Sequence, residues 1–142
     1  MNITILKIGV IALQDKILWL LVAFFVFSFL RKRFFMFNNK NVKNISAQEA
    51  YQLINENKNL VILDVRTKGE FESGHIPKAK NIPVQQLSAR INELNKFKDT
   101  PILVHCASGG RSPSAVKALI NNEFTKIYHL NRGLNSWKYP LK

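Results

Sequence analysis

The stretch Pro101–Ser112 constrains this chain most, because an apolar run changes to a glycine-rich turn within a few residues. Residues 102–104 are apolar and β-favouring, as in a strand that is buried on both faces. The only cysteine, Cys106, follows them. After the turn, Ser112 is expected to cap an amphipathic helix, and Pro113 suits the first helical position. The stretch therefore predicts a strand, a loop and a helix.

Cys106 is the candidate catalytic residue. Open α/β sheets bind their ligands at the carboxyl ends of the strands, which is where this cysteine lies. The free N–H groups and the dipole of the following helix point at the loop and favour negative charge there. The thiol is thus expected to ionise more easily than a free one and to act as a nucleophile. The alternative is a buried cysteine that only packs in the core.

Four residues separate Cys106 from Arg111. This Cys-x-x-Gly-x-Arg pattern resembles the active-site loop of the rhodaneses, which are sulfurtransferases. Phosphatases that use a cysteine nucleophile carry a longer loop between the two residues, so the spacing favours sulfur over phosphate. The resemblance implies that the substrate is bound by the loop residues Ala107, Ser108, Gly109, Gly110 and Arg111.

Two further motifs support the resemblance. Residues 64–83 contain Asp-x-Arg, Glu-Phe, Gly-His-Ile and Asn-Ile-Pro, in the order and spacing of a second rhodanese signature. Lys78 replaces a common glycine in this block, which should affect only a surface turn. Residues 131–137 resemble the closing Gly-Gly-x-x-x-Trp motif, but Arg132 replaces its first glycine. The arginine would be strained if that position required a positive φ.

Charged residues in these motifs are expected to support the site. Asp64, Arg66 and Glu70 are predicted to form ion pairs and hydrogen bonds that hold the loops over the sheet. Two roles stay open for Arg111: it attracts an anionic donor, or it pairs with a carboxylate such as Glu70 and braces the loop. Strand alternation turns His105 away from the cysteine, so this histidine is not assigned as a base.

The order of the elements predicts an α/β fold. Ser46 to Glu49 is a capping box ahead of a helix, and residues 60–63 form a second apolar run typical of a buried strand. Residues 126–130 are predicted to form a further strand. With the motifs, these features imply a rhodanese-like three-layer domain over residues 44–142. Its mostly parallel central sheet should have about five strands, flanked by helices.

A membrane anchor is predicted before this domain. Residues 17–30 carry no charge, and a transmembrane helix is expected within about 8–30, so residues 1–30 are assigned as the anchor. Residues 31–43 are assigned as a basic juxtamembrane linker. A buried helix of a soluble protein and a secretory signal peptide are the alternatives. A signal peptide carries its positive charge before the apolar core, whereas here the strong charge follows it.

The position of the densest basic run supports the same anchor. The formal net charge is +12, and the densest basic run, residues 31–33, adjoins the apolar segment. This position favours a membrane over nucleic acid as the partner. Because basic residues near a span tend to stay in the cytoplasm, we expect a single-pass membrane protein with a cytoplasmic C-terminal domain.

The resemblance implies sulfur transfer in two half-reactions. Cys106 takes the outer sulfur of thiosulfate or a low-molecular-weight persulfide and holds it as a persulfide. An acceptor then removes it: cyanide in vitro, or a thiol or protein cysteine in the cell. No metal or organic cofactor is expected, since the chain supplies both nucleophile and anion-binding loop. The alternative is a membrane-tethered persulfide carrier or a protein-binding module with little turnover.

Overall fold

The computed structural model describes residues 16–28 and 40–142. They belong to two compact units, Met1–Asn38 and Asn39–Lys142. In the first unit, 16–28 is helical and its large apolar side chains are exposed. No helix within the described residues is both long and apolar enough to cross a bilayer. The rest of the predicted span, 8–30, and the predicted linker up to residue 39 lie outside the described residues.

The second unit is built on a parallel sheet of five strands. They are β1 (Val42–Ile45), β2 (Val61–Asp64), β3 (Lys80–Asn81), β4 (Ile102–His105) and β5 (Ile127–Leu130). Their spatial order is β1-β5-β4-β2-β3, and every neighbouring pair is parallel. The predicted parallel sheet of about five strands is confirmed. β4, which leads to the cysteine, lies at its centre.

Helices cover both faces of the sheet. They are α1 (Ala47–Glu56), α2 (Lys68–Glu72), α3 (Val84–Arg90) and α4 (Ser112–Asn121). Short 3₁₀ segments follow α3 at Ile91–Phe97 and β5 at Gly133–Ser136. One apolar core lies between the sheet and α3 and α4, and a second lies between the opposite face and α1. Burial of apolar surface on both faces stabilises this three-layer arrangement.

The predicted capping box starts α1. The Ser46 hydroxyl accepts a hydrogen bond from the Glu49 N–H at 3.3 Å, and the Glu49 carboxylate accepts one from the Ser46 N–H at 2.8 Å. Two backbone donors that the helix would leave unpaired are thus satisfied. The capping box fixes the start of α1 directly after β1, so the chain turns onto the sheet within one residue.

Candidate active site

Cys106 follows β4 at the carboxyl end of the central strand, and its side chain is fully buried. The loop after it curls back around the sulfur. The Gly109 N–H donates a hydrogen bond to Cys106 Sγ at 3.2 Å, and Ser112 Oγ lies 3.5 Å from the same atom. Gly109 has a φ of 90°, a left-handed conformation that glycine adopts without strain. The loop is therefore shaped to place donors on one sulfur atom.

This environment alters the acidity of the thiol. Burial by itself raises the pKa of Cys106, because it removes the thiolate from water. The Ser112 hydroxyl and the backbone N–H groups of Ser112, Arg111 and Gly109 act in the opposite direction. Together they outweigh burial, so the pKa of the Cys106 thiol lies below its ordinary value. A lowered pKa makes the nucleophilic thiolate more abundant near neutral pH.

The cap predicted for Ser112 does not form. Helix α4 begins at Ser112 itself, with Arg111 at the N-cap position and no side-chain capping hydrogen bond. The buried Ser112 hydroxyl turns inward and lies 2.8 Å from His129 Nε2. His129 Nδ1 lies 2.7 Å from Asn44 Oδ1. A residue expected to cap the start of a helix thus connects the sulfur of Cys106 to a histidine.

Arg111 contacts Glu70. Its two terminal nitrogens donate hydrogen bonds to the Glu70 carboxylate at 2.7 and 2.6 Å. The same carboxylate accepts bonds from the Thr67 N–H and hydroxyl at the start of α2. The Arg111 guanidinium lowers the pKa of Glu70 to about 2, and Glu70 in turn raises the pKa of Arg111. The contact expected of a loop-bracing arginine is therefore present, and Arg111 also faces Cys106.

Asp64 and Arg66 lie on the other side of the sheet from the thiol. Both are buried and form an ion pair at 2.6 Å, and Arg66 also donates to the Gly74 carbonyl at 2.8 Å. His105 is fully buried beside Asp64, with Nε2 3.7 Å from the carboxylate. Burial lowers the pKa of His105. His105 Nδ1 lies 3.4 Å from the Cys106 carbonyl oxygen, but all three side chains point away from the thiol, as alternation along β4 predicts.

The closing motif supports the active-site loop through its backbone. Leu134 N–H donates to the Cys106 carbonyl and Asn135 N–H donates to the Ala107 carbonyl, both at 2.8 Å. Gly133, with a φ of 58°, brings these donors close to the loop. Arg132 has a φ of 64°, so the position of the missing glycine does require the left-handed conformation. An arginine there is strained, at a cost of about 1 kcal/mol.

The residues of the active-site loop differ in their exposure to solvent. Ser108 and Gly110 are exposed, and Ala107 and Gly109 are half-buried. Of the predicted substrate-binding residues, Gly109 and Arg111 direct backbone N–H groups at the sulfur, and Ala107, Ser108 and Gly110 lie beside them in the same loop. Within the part of the chain that the structure describes, no group of three or more His, Cys, Asp or Glu side chains is arranged to hold a metal ion.

Two residues near the site are not indicated by any motif. His129 lies in β5 and Asn44 in β1, far from the cysteine in sequence. In the parallel register, Asn44 is paired with His129, which is paired with Val104 on β4. Alternation places all three, with Cys106, on the sheet face that α4 covers. The strand order, together with the alternation of side chains between the two faces of the sheet, is the signal that would have found them.

A family model for the rhodanese-like domain matches residues 46–139. The chain belongs to the rhodanese-like domain family. Solved structures agree: it superposes on a rhodanese-like domain protein from Staphylococcus aureus with a TM-score of 0.64 and 32% identity, over 70% of this chain and 96% of that one. A rhodanese-related protein from Thermoplasma volcanium gives a TM-score of 0.63 at 32% identity, over 70% and 97% of the two chains.

Curated relatives point to sulfur chemistry. The thiosulfate sulfurtransferase GlpE of Coxiella burnetii is 33% identical, over 68% of this chain and 87% of that protein. The putative sulfur carrier protein YrkF of Bacillus subtilis is 33% identical, over 70% of this chain and 53% of that protein. YqhL of the same organism is 41% identical, over 57% and 63%. The chain thus spans less than two thirds of each Bacillus relative, and the relatives support the general sulfurtransferase class.

Proposed function

We propose that this rhodanese-like domain is a sulfurtransferase that carries sulfane sulfur on Cys106. The observation that supports the proposal is the single buried thiol, whose pKa is lowered by the Ser112 hydroxyl and the loop N–H groups despite burial. A thiol whose ionisation is favoured by its surroundings is suited to nucleophilic catalysis. Thiosulfate or a low-molecular-weight persulfide is the proposed donor, and a thiol or protein cysteine is the acceptor.

The first half-reaction forms a persulfide. The Cys106 thiolate attacks the outer sulfur of thiosulfate, a new S–S bond forms, and the bond to the sulfite group breaks with its electron pair leaving on sulfite. The negative charge then lies on the terminal persulfide sulfur. The N–H groups of the loop from Ala107 to Arg111 are the groups available to stabilise it.

The second half-reaction regenerates the enzyme. A thiolate acceptor, or cyanide in vitro, attacks the terminal sulfur, and Cys106 leaves as a thiolate. Arg111 has a bracing role in this scheme: its pair with Glu70 ties the loop to the start of α2. Both side chains are about a third exposed, at 34% and 35%, so solvent screening limits the contribution of the pair to about 1 kcal/mol or less.

Mass spectrometry tests the sulfur-carrying step. After incubation with thiosulfate and removal of the excess, we expect the intact protein to gain the mass of one sulfur atom, located on the peptide that contains Cys106. Added cyanide should remove that mass and release thiocyanate in equal amount. A chain that gains no sulfur from thiosulfate or from a small persulfide would contradict the proposal.

A persulfide carrier with little turnover is the second candidate. The relative named as a putative sulfur carrier favours it. Steady-state turnover separates the two functions, because a transferase cycles through many sulfur atoms per chain in the presence of donor and acceptor. A carrier would take up one sulfur atom per chain and stop until a specific partner removed it.

The N-terminal segment is proposed to attach the domain to a membrane. Exposed apolar side chains at 16–28, together with the basic run at residues 31–33 of the sequence, support this proposal. Basic residues flanking an apolar segment favour a cytoplasmic position for the side that carries them. The C-terminal domain is therefore proposed to lie in the cytoplasm.

Fractionation tests the anchor. The full chain should sediment with membranes, resist extraction by high salt and be released by detergent, because apolar contacts with lipid do not weaken with ionic strength. A chain without residues 1–40 should be soluble and keep its sulfur transfer, since β1 begins only at Val42. Extraction of the full chain by high salt would contradict the membrane anchor. Digestion of the domain by protease added outside intact cells would contradict its cytoplasmic position.

A further inference from the structure

A line of hydrogen-bonded polar side chains leads from the thiol of Cys106 across the sheet to an edge strand. Sγ lies 3.5 Å from Ser112 Oγ, and Ser112 Oγ lies 2.8 Å from His129 Nε2. His129 Nδ1 lies 2.7 Å from Asn44 Oδ1. Cys106 and Ser112 are fully buried, and His129 is 8% exposed. The line joins the active-site loop to β5 and then to the edge strand β1.

The hydrogen bonds along this line can all be donated in the same direction, from the thiol and the hydroxyl toward the imidazole. The Asn44 amide oxygen accepts from Nδ1–H, which leaves Nε2 of the neutral His129 ring without a proton. Nε2 therefore accepts from the Ser112 hydroxyl. The Ser112 oxygen is then free to accept from the S–H of Cys106. Every member of the line is paired, and the imidazole base lies between Ser112 and Asn44.

We propose that His129 accepts the proton of Cys106 through the hydroxyl of Ser112. The S–H proton moves to Ser112 Oγ while the proton of Ser112 moves to His129 Nε2. The S–H bond breaks, an Nε2–H bond forms, and Ser112 ends as a hydroxyl again. No electron is transferred, and the products are a thiolate and an imidazolium. This inference rests on the proposed sulfur transfer, whose first half-reaction requires the thiolate.

The same line stabilises the products. After the transfer, Nε2–H donates to Ser112 Oγ, and the Ser112 hydroxyl donates to the thiolate, which keeps its bond from the Gly109 N–H. The imidazolium keeps its Nδ1–H bond to Asn44. Hydrogen bonds to charged groups are stronger than neutral ones. Burial lowers the pKa of His129 and so favours the neutral ring, whose Nε2 accepts from the Ser112 hydroxyl.

Within the described residues, charged groups act on this line at the thiol rather than at the imidazole. The Arg111 guanidinium faces Cys106 from the loop and favours the thiolate. The buried cluster of Asp64, Arg66 and His105 lies on the opposite face of the sheet. The pKa of His129 is lowered by burial, and not by any charged group of the described residues. Ser112 is thus the group through which the imidazole reaches the thiol.

The rate of alkylation by iodoacetamide tests the inference, because it measures the thiolate and needs no sulfur donor. In the full-length protein, His129→Gln and Ser112→Ala should each shift the pH profile of alkylation upward by about one unit. Alkylation at pH 7 should then be about tenfold slower. His75→Gln and the exposed Ser114→Ala are matched controls, and their profiles should equal that of the wild type.

Asn44→Asp should have the opposite effect. A carboxylate beside Nδ1–H stabilises the imidazolium, so alkylation at pH 6 should be about threefold faster than in the wild type. Asn44 is exposed on an edge strand, which makes this variant the deciding one if His129→Gln does not fold. A merely structural His129 predicts no acceleration.

The outcomes separate the two proposals. Unchanged alkylation profiles in folded His129→Gln, or a slower reaction in Asn44→Asp, would overturn the proton transfer even if the wild type forms a persulfide. A wild type that forms no persulfide would overturn the sulfurtransferase proposal. In that case the shifted alkylation profiles would still support proton transfer from Cys106 to His129, since iodoacetamide reacts with the thiolate directly.

Discussion

Cys106→Ser is expected to abolish sulfur transfer, lowering turnover by about a thousandfold or more. The chain has one cysteine, and its two methionines carry no ionisable sulfur. A serine hydroxyl is hardly ionised at neutral pH and forms no persulfide. The assay is thiocyanate release from thiosulfate and cyanide, with the intact mass measured in parallel. Undiminished turnover in the variant would refute the proposed function.

The fold of this variant should survive. The serine oxygen occupies the place of Sγ, where the Gly109 N–H and the Ser112 hydroxyl can hydrogen-bond to it. Because the new hydroxyl keeps partners, we expect the free energy of unfolding to fall by about 1 kcal/mol or less. Thermal unfolding measures this change. If the variant does not fold, the mass measurement on the wild-type protein tests the proposed sulfur transfer instead.

The parallel sheet is predictable because its inner strands have a visible signature. Residues 60–63 and 102–104 are short continuous apolar runs, which are typical of strands covered on both faces. The order β1-β5-β4-β2-β3 has no such local signature. It depends on where each connecting helix returns to the sheet, which is decided by packing over the whole domain.

The candidate site also has a part that is predictable from local sequence and a part that is not. The cysteine loop is predictable from its spacing, since its parts are neighbours in the chain. His129 and Asn44 are not, because they meet Ser112 only through the register of three strands. The role of Ser112 is ambiguous in sequence: a serine before proline caps a helix or begins one. Here it begins α4, and its hydroxyl turns to the core instead.

The left-handed residues show a further limit of sequence reasoning. Lys78 is expected to affect only a surface turn, and Arg132 to be strained if its position requires a positive φ; their φ values are 67° and 64°. The motif indicates where the chain must turn, but not that the turn persists with a bulkier residue. The hydrogen bonds from Leu134 and Asn135 to the active-site loop hold Arg132 in place. The packing of the closing motif thus outweighs the local preference of its first residue.

Gly133→Ala is expected to destabilise the domain and its active-site loop together. A Cβ at this position would lie 2.6 Å from the Ala107 carbonyl oxygen and closer still to that of Cys106, and φ is 58°. Real side chains do not approach backbone oxygen so closely, so the closing motif must move away. The free energy of unfolding should fall by about 3 kcal/mol, and the melting temperature by about 10 °C or more.

Loss of activity should accompany this change, because Leu134 and Asn135 would no longer donate to the carbonyls of Cys106 and Ala107. Gly69→Ala is the matched control: a Cβ there meets nothing within 4 Å, so its melting temperature should stay close to that of the wild type. Equal melting temperatures and equal sulfur transfer in the two variants would contradict the close packing of the closing motif on the loop. A fall confined to Gly133→Ala would mean that the left-handed glycine holds the loop around the thiol.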